Sequence, residues 1–416
     1  MTVRELHSPT NLRVDLTSQA FKRDPFPTLA RLREAGPVVR VRVPLFGSVW
    51  MATNYDAVNN VLRDHRRFLQ NPTTAGHRGM GWLLRLLPRN IQPLRAQMLI
   101  RDEPDHRRLR SLVEQGFQRR QIESLRPRLE ALADAALDQF AAAAQSSAAG
   151  ADLITHFARP FPLSVICELL GLPQADRPKF TRWASGFSSA NSIPGILWGL
   201  RRLGKLLRYV RDEIQRQSTH PRGGLLSALI QVEEAGDRLN EDELLAMVFL
   251  LLLAGHETTL HQITGSVWLL LKHRAQLDEL RHEWSFVDSA VQELLRHFSF
   301  AQVAKPRYAR EDLEFKGQSI RKSQMLLVSL AAANADPDQF PRPEQLDLHR
   351  EPNRHVAFGA GIHYCLGAQL ASLETEIALR KLFTRFPQLR LAIPDEQLRF
   401  SGRFGTRGLL SLPLHG

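Results

Sequence analysis

The stretch FGAGIHYCLG, Phe358 to Gly367, holds one of only two cysteines in 416 residues and sets it among three glycines, a phenylalanine and a histidine. Apolar residues then fall at 366, 370, 373 and 377, steps of four, three and four, which puts them on one stripe of a helix starting beside Cys365. A cysteine held as thiolate needs donors aimed at its sulfur. Glycines let the backbone fold tightly enough to supply N–H groups from several directions, and the adjoining helix N-terminus adds the positive end of its dipole. The other cysteine, Cys167, lies in the apolar pattern PLSVICELLG and reads as a small buried hydrophobe.

A thiolate stabilised in this way, with glycines allowing a flat ligand to approach and His363 available for a carboxylate, suits the axial ligand of haem iron. The competing explanation, a glycine turn with an incidental cysteine, would serve for a lone Gly-x-Cys. Here six positions of ten are specified. On average residue usage that coincidence is on the order of 10⁻⁸ or less per start position.

Composition narrows the class. With 43% hydrophobic and 24% charged residues the chain can bury a sizeable core, and no linker or charge block divides it, so one domain over residues 1–416, or two intimately packed parts, is expected. No apolar segment of the first thirty residues resembles a signal peptide, and the longest apolar run, Leu244 to Ala254, falls short of the roughly 20 residues that a membrane-spanning helix needs. A cytoplasmic protein without integral membrane association is the expectation. The 55 Lys and Arg against 43 Asp and Glu give +12, but the bases are scattered as pairs without a basic tail or interleaved aromatics, which argues against nucleic acid.

Most of the chain carries a helical period. Asn240 can cap a helix and Glu243, three residues on, can complete a capping box, after which apolar character on every face marks a central buried helix. VVRVRV, VWMAT and MLLVSL read as a minor sheet, and the Ala/Ser stretch from Ala141 to Gly150 as a helix fraying into a loop. The fold class is mainly α with a small β portion.

Within the central helix lies AGHETT, Ala254 to Thr259. Gly255 costs roughly 1 kcal/mol relative to alanine, and Thr258 can bond back to a carbonyl one turn earlier, so the helix is expected to loosen or bulge there. His256-Glu257 begins like a zinc motif, but Leu260 fills the required position and His261 lies about 140° round the helix from His256. Glu293 and Arg296 in ELLR are helix neighbours, by themselves usually a solvated pair.

The cysteine stretch resembles the haem-ligand loop of the cytochrome P-450 family, the haem-thiolate monooxygenases, with no departure from Phe-Gly-x-Gly-x-His-x-Cys-x-Gly. The resemblance runs nearly end to end, through DPFPTLARLREAGPVVRV, DEPDHRRLRSLV, AANADPDQF and RGLLSLPL, and is greatest to the soluble bacterial members. It implies the cytochrome P-450 fold, with haem b between the central long helix and the cysteine-loop helix, and Cys365 as the ligand of iron. It implies a cofactor surface of Ala254, Gly255, Phe358, Gly359 and Gly367, with His106, Arg110, Arg307 and His363 for the propionates. Glu257 and Thr258 would serve catalysis, Thr258 as hydrogen-bond partner of the distal oxygen and Glu257 in the proton relay. Glu293 and Arg296 would join Arg350 in a buried ion cluster that fixes the approach to the cysteine loop. Leu346 and Arg342 depart from the aromatic and the acid more usual there, which bears on the packing of that segment.

The activity so implied is insertion of one atom of O2 into a hydrophobic small molecule, by hydroxylation or epoxidation. A haem sensor without turnover, or a peroxygenase or isomerase, is the alternative; the intact acid–alcohol pair argues against both. The resemblance takes up essentially the whole chain and leaves no room for a fused reductase, so electrons come from a ferredoxin or flavodoxin with an NAD(P)H-dependent reductase. Arg107, Arg108, Arg119 and Arg120 are the expected docking bases. Candidate substrate walls are Met80, Trp82, Leu83, Leu86 and Leu87, residues 187–206, 250–258, 300–304 and 404–406, predominantly apolar and suited to a fatty acid, terpenoid, steroid or polyketide. Residues 193–210, apolar and basic, read as a lid helix with a solvated face, with membrane docking as the alternative.

Overall fold

The computed structural model describes residues 11–43, 47–77, 91–184, 193–232 and 238–416. The wall candidates Met80 to Leu87, and residues 187–192 of the next, lie outside them. Helices dominate and the sheets are small, as the mixed periodicity predicts. The chain divides into two compact units, one of Met1–Arg78, Gly265–Cys365 and Gln397–Leu410, the other of Gly79–Thr264, Leu366–Glu396 and Ser411–Gly416.

The first unit is built on a six-stranded sheet in the order Asn11–Arg13, Val38–Val43, Gly47–Ala52, Met325–Val328, Arg307–Ala309, Phe68–Leu69. All three β-rich segments read from the sequence are in it. Val38 to Val43 pairs antiparallel with Gly47 to Ala52, Val41 opposite Val49. Because side chains alternate along a strand, each face buries its own set. Val38, Trp50, Ala52, Leu326 and Val328 pack on the helix Tyr55–Arg63 through Ala57, Val58, Val61 and Leu62. Val39, Val41, Val43, Met51 and Leu327 pack on Phe21, Leu29 and Leu32 of the N-terminal helices Gln19–Arg23 and Phe26–Glu34.

The second unit is helical apart from a three-stranded sheet. The helix Arg126–Ser146 ends where the Ala/Ser stretch gives way to a loop. The helix after the cysteine loop runs Ala368–Arg385, so Leu366 precedes it, while Leu370, Leu373 and Ile377 form the expected buried stripe. Arg126 donates to both oxygens of Glu376 at 2.9 and 2.8 Å and ties the two helices together. Cys167 is buried, and burial pushes its thiol up to about 12, the behaviour of a small core residue.

The central helix spans Glu241–Lys272. Its capping box is formed in full: Glu243 N–H donates to Asn240 Oδ1 at 2.9 Å and Asn240 N–H to Glu243 Oε2 at 3.0 Å. The apolar run underestimates this helix, which at 32 residues is long and apolar enough to cross a membrane, with 67% of its most apolar window buried inside the fold. Its residues Glu241–Thr264 belong to the second unit and Gly265–Lys272 to the first. Gly255 and Thr258 do not loosen it, since α-helical backbone continues unbroken through AGHETT. Intrinsic propensity here yields to burial on both sides of the weak turn.

Candidate functional site

In the first unit, the cysteine loop is set by its glycines. Gly359 and Gly361 have φ of 71° and 72°, a region that β-carbon crowding disfavours. At Gly361 a β-carbon would lie 2.3 Å from the Leu62 carbonyl oxygen, so the loop sits directly on the end of the helix Tyr55–Arg63. Three backbone bonds close the turn: Gly359 N–H to Val356 O at 2.9 Å, Tyr364 N–H to Gly361 O at 3.0 Å, and Cys365 N–H to Phe358 O at 2.9 Å. The thiol of Cys365 is thus held on a fixed backbone yet half-buried, the reverse of Cys167.

The approach to the loop is held by Glu293, Arg296 and Arg350, which do meet. Arg296 donates through Nε and Nη2 to the two oxygens of Glu293, both at 2.7 Å, and Arg350 Nε lies 3.1 Å from Oε2. All three side chains are buried. Two partners carry no sequence signal: Asn353 Nδ2 and the Asp347 N–H also donate to Glu293, at 3.1 Å each. From there a relay reaches the loop. Arg296 donates to the Asn334 carbonyl at 2.7 Å, and Asn334 Oδ1 accepts the Val356 N–H at 2.8 Å, two residues before Phe358. Asn334 was not recognisable as a site residue either. Leu346 and Arg342 do no harm, because Arg350 donates to the carbonyls of Pro341, Arg342 and Gln345 and not to side chains there. Burial presses His355 down to about 4, so it is neutral where its Nε2 meets Gln292 Oε1 at 3.0 Å.

In the second unit, the central helix opens one window. Leu244 to Leu252 are buried, as are Gln262 to Leu271, whereas Ala254 and Thr258, one turn apart, are exposed, and Leu253, Glu257 and His261 are partly so. Thr258 Oγ1 donates to the Ala254 carbonyl at 2.6 Å, which leaves its lone pairs to accept a bond from the window side. Gly255 is turned otherwise: a β-carbon there would stand 3.2 Å from Ile166 Cδ1, so its lack of a side chain serves the close approach of the helix Pro160–Leu169. His256 is buried and pressed down to about 4, chiefly by desolvation. Among the described residues no group of three or more His, Cys, Asp and Glu side chains is placed to hold a metal ion.

The four propionate candidates are distributed as follows. His106 and Arg110 stand one turn apart on the helix Asp105–Glu114; His106 is buried, and Arg110 Nη2 lies 3.6 Å from Glu114. In the first unit, Arg307 is buried in its strand and donates to the Lys305 carbonyl at 3.1 Å, and His363 closes the short turn Gly361–His363. Of the docking bases, Arg107 is 77% exposed and 3.2 Å from Glu103, and Arg119 and Arg120 are exposed. Arg108 is a correction: it is only 33% exposed and forms an ion pair with Glu243, the capping residue of the central helix, so it holds helices together and is not offered to a partner.

The residues present fit haem on their own chemistry. A β-carbon at Gly359 would meet only the His363 carbonyl at 4.0 Å, so that glycine presses on no neighbour and leaves room beside the loop that carries the half-buried thiol; one at Gly367, in the second unit, would meet nothing within 4 Å. An iron macrocycle bearing two carboxylates needs one soft anionic ligand and several bases; the first unit offers the Cys365 thiol, Arg307 and His363, and the second unit His106 and Arg110. A cleft on the second unit, lined by Leu112, Gly116, Leu125, Leu169 and Leu225 with a volume of about 370 Å³, contains none of them.

The family model described as Cytochrome P450 matches residues 202–399. The polyketide biosynthesis cytochrome P450 PksS of Bacillus subtilis is 36% identical over 397 residues, covering 95% of this chain and 96% of that protein. The mycinamicin IV hydroxylase/epoxidase of Micromonospora griseorubida is 40% identical over 385 residues, covering 92% and 93%. The solved structure of the B. subtilis PksS, from the bacillaene polyketide synthase, superposes with a TM-score of 0.86 at 35% identity over 96% of this chain and 98% of that one. With likeness of this extent in sequence and fold, the chain belongs to the cytochrome P450 family and is a haem-dependent monooxygenase.

Proposed function

We propose that Cys365 is the iron ligand, that Glu257 and Thr258 manage the protons of O2 cleavage, and that His106, Arg110, Arg307 and His363 hold the haem carboxylates. The observation carrying this reading is the contrast between the two thiols, one half-buried at the tip of a braced glycine loop and one buried and pushed up to about 12. When bound, thiolate-ligated haem supplies activation of O2 for transfer of one oxygen atom to a carbon. The chain's part is to hold the sulfur rigid, to shield it, and to deliver protons at the window. Glu257 is partly exposed next to Thr258 in the chain, so its carboxyl can donate a proton to an ordered water at the window. The Thr258 oxygen, whose own proton stays on the bond to the Ala254 carbonyl, accepts a hydrogen bond that holds the proton acceptor or that water in place.

Thr258→Ala is expected to leave haem and substrate binding intact while diverting electrons to hydrogen peroxide. Product formed per NADPH oxidised should drop about tenfold or more, in the range that general acid–base groups contribute. Unchanged coupling would remove Thr258 from the mechanism.

The substrate class best supported is an apolar polyketide, the chemistry named for the Bacillus subtilis relative above. Titrating a panel of such compounds against the haem spin-state band tests it; no response from polyketides beside a clear one from fatty acids or steroids would refute it. Residues 1–416 are read as a single haem-binding domain in the cytoplasm, served by a ferredoxin or flavodoxin with its reductase. Arg107, Arg119 and Arg120 provide the exposed positive charge for an acidic carrier. First-electron transfer should slow as added salt shortens the Debye length from roughly 30 Å to 8 Å. Reversal of Arg119 and Arg120 to Glu should raise the carrier's KM severalfold with little effect on substrate binding. A rate indifferent to both changes would point to an apolar docking face.

A further inference from the structure

The first unit buries a lysine among hydrogen bonds that join three parts of the chain. Lys22, on the helix Gln19–Arg23, has 0% of its surface exposed. Its ammonium donates to Gln302 Oε1 and to the Thr406 carbonyl, both at 2.6 Å. Those acceptors lie on the two segments read above as substrate walls, 300–304 and 404–406. The segments are joined to each other as well: Gln302 and Val303 N–H groups donate to the Gly405 carbonyl at 2.9 and 3.2 Å, and Ala301 bridges Thr406. Side chains alternate across this ribbon. Gln302 and Arg407 are buried, Val303 and Phe404 pack against the cluster that holds Phe21, and Ala301 and Thr406, which bridge each other, remain partly exposed.

An ammonium without contact to water is costly unless its donors are used, and a methionine would fill the same volume at no such cost. What only the lysine provides is a tie from the N-terminal helix to both wall segments at once. Burial and the neighbouring Arg407 press Lys22 down to about 7, which weakens its hold on the charge but not on the two hydrogen bonds, since the neutral amine still has N–H groups to donate. Arg407 backs the same place by donating to the carbonyls of Lys22 and Arg23 at 2.7 and 2.8 Å.

We propose that Lys22 is a positioning residue for substrate selection, its ammonium locking Gln302 and Thr406 so that the wall keeps one shape toward the bound molecule. This rests on reading 300–304 and 404–406 as substrate walls. The same helix supplies a matched control. Gln19 also makes two hydrogen bonds to the C-terminal stretch, with the Phe400 carbonyl at 2.7 Å and the Phe400 N–H at 2.9 Å, but neither reaches the wall.

The test uses the haem-loaded full chain and two iron-binding probes. Imidazole binds the iron without reaching the walls, and phenylimidazole carries a ring that must fit against them. Lys22→Met should weaken phenylimidazole on the order of tenfold while imidazole affinity stays within about twofold. Gln19→Leu should leave the ratio of the two affinities unchanged. If Lys22→Met does not load haem, Gln302→Met carries the same expectation, because it removes the acceptor from the wall side. An unchanged ratio in the Lys22 and Gln302 variants, or an equal fall in Gln19→Leu, overturns the proposal. Failure of the wall reading shows separately: Ala301→Leu, which enlarges a side chain of the wall itself, would then leave the ratio of the two affinities unchanged, and that result overturns the proposal with it.

Discussion

Cys365→Ser should abolish the thiolate-type absorption of the reduced carbon-monoxide complex and reduce product formation to background. A hydroxyl is a far poorer anionic ligand than a thiol at neutral pH, so the substituted residue cannot hold the iron as an anion. Cys167→Ser is the control. That side chain is buried in the core of the second unit, and burial opposes its ionisation, so the spectrum should persist even if stability falls by about 1–3 kcal/mol for a buried hydroxyl. Both spectra can be recorded on whole-cell lysates, which separates loss of ligation from loss of soluble protein.

Glu293→Gln should be nearly as damaging, although this residue touches neither the sulfur nor the substrate window. Its carboxylate accepts from Arg296, Arg350, Asn353 and the Asp347 N–H, and it is the only charge in that set that balances two buried guanidinium groups. Breaking a buried pair by removing one partner costs about 3–5 kcal/mol, against a total stability of about 5–15 kcal/mol. The disturbance would pass through Arg296 and Asn334 to Val356 and so to the cysteine loop. Haem per polypeptide should fall to a small fraction of the parent, with a lower unfolding midpoint. Full haem content and a midpoint within about 2 °C of the parent would show that the cluster does not hold the loop.

The parts legible in the sequence are those whose physics is local. The glycines around Cys365, the Asn240–Glu243 capping box, the alternation of Val38 to Val43 and the back-bond of Thr258 each depend on spacings of a few residues, and each is in place. The ion cluster was reachable only through the family likeness, because Glu293 and Arg350 stand 57 positions apart. Single polar residues brought in by the tertiary fold gave no warning. Asn334 and Asn353 show no periodicity, and Arg108 looks like a surface base until Glu243, 135 positions away, arrives beside it. Lys22 belongs to the same class, since its sequence neighbours suggest an exposed helix charge while its partners lie 280 and 384 positions downstream. The continuity of the central helix through AGHETT is a case of packing overriding local preference.

The most direct measurement is the iron–sulfur vibration of the haem protein, grown with cysteine labelled in a heavy sulfur isotope. The labelled parent and Cys167→Ser should both show the isotope shift, and Cys365→Ser should show none. A shift that survives in Cys365→Ser and vanishes in Cys167→Ser, or no sulfur-sensitive band in the parent, would contradict Cys365 as the ligand of iron.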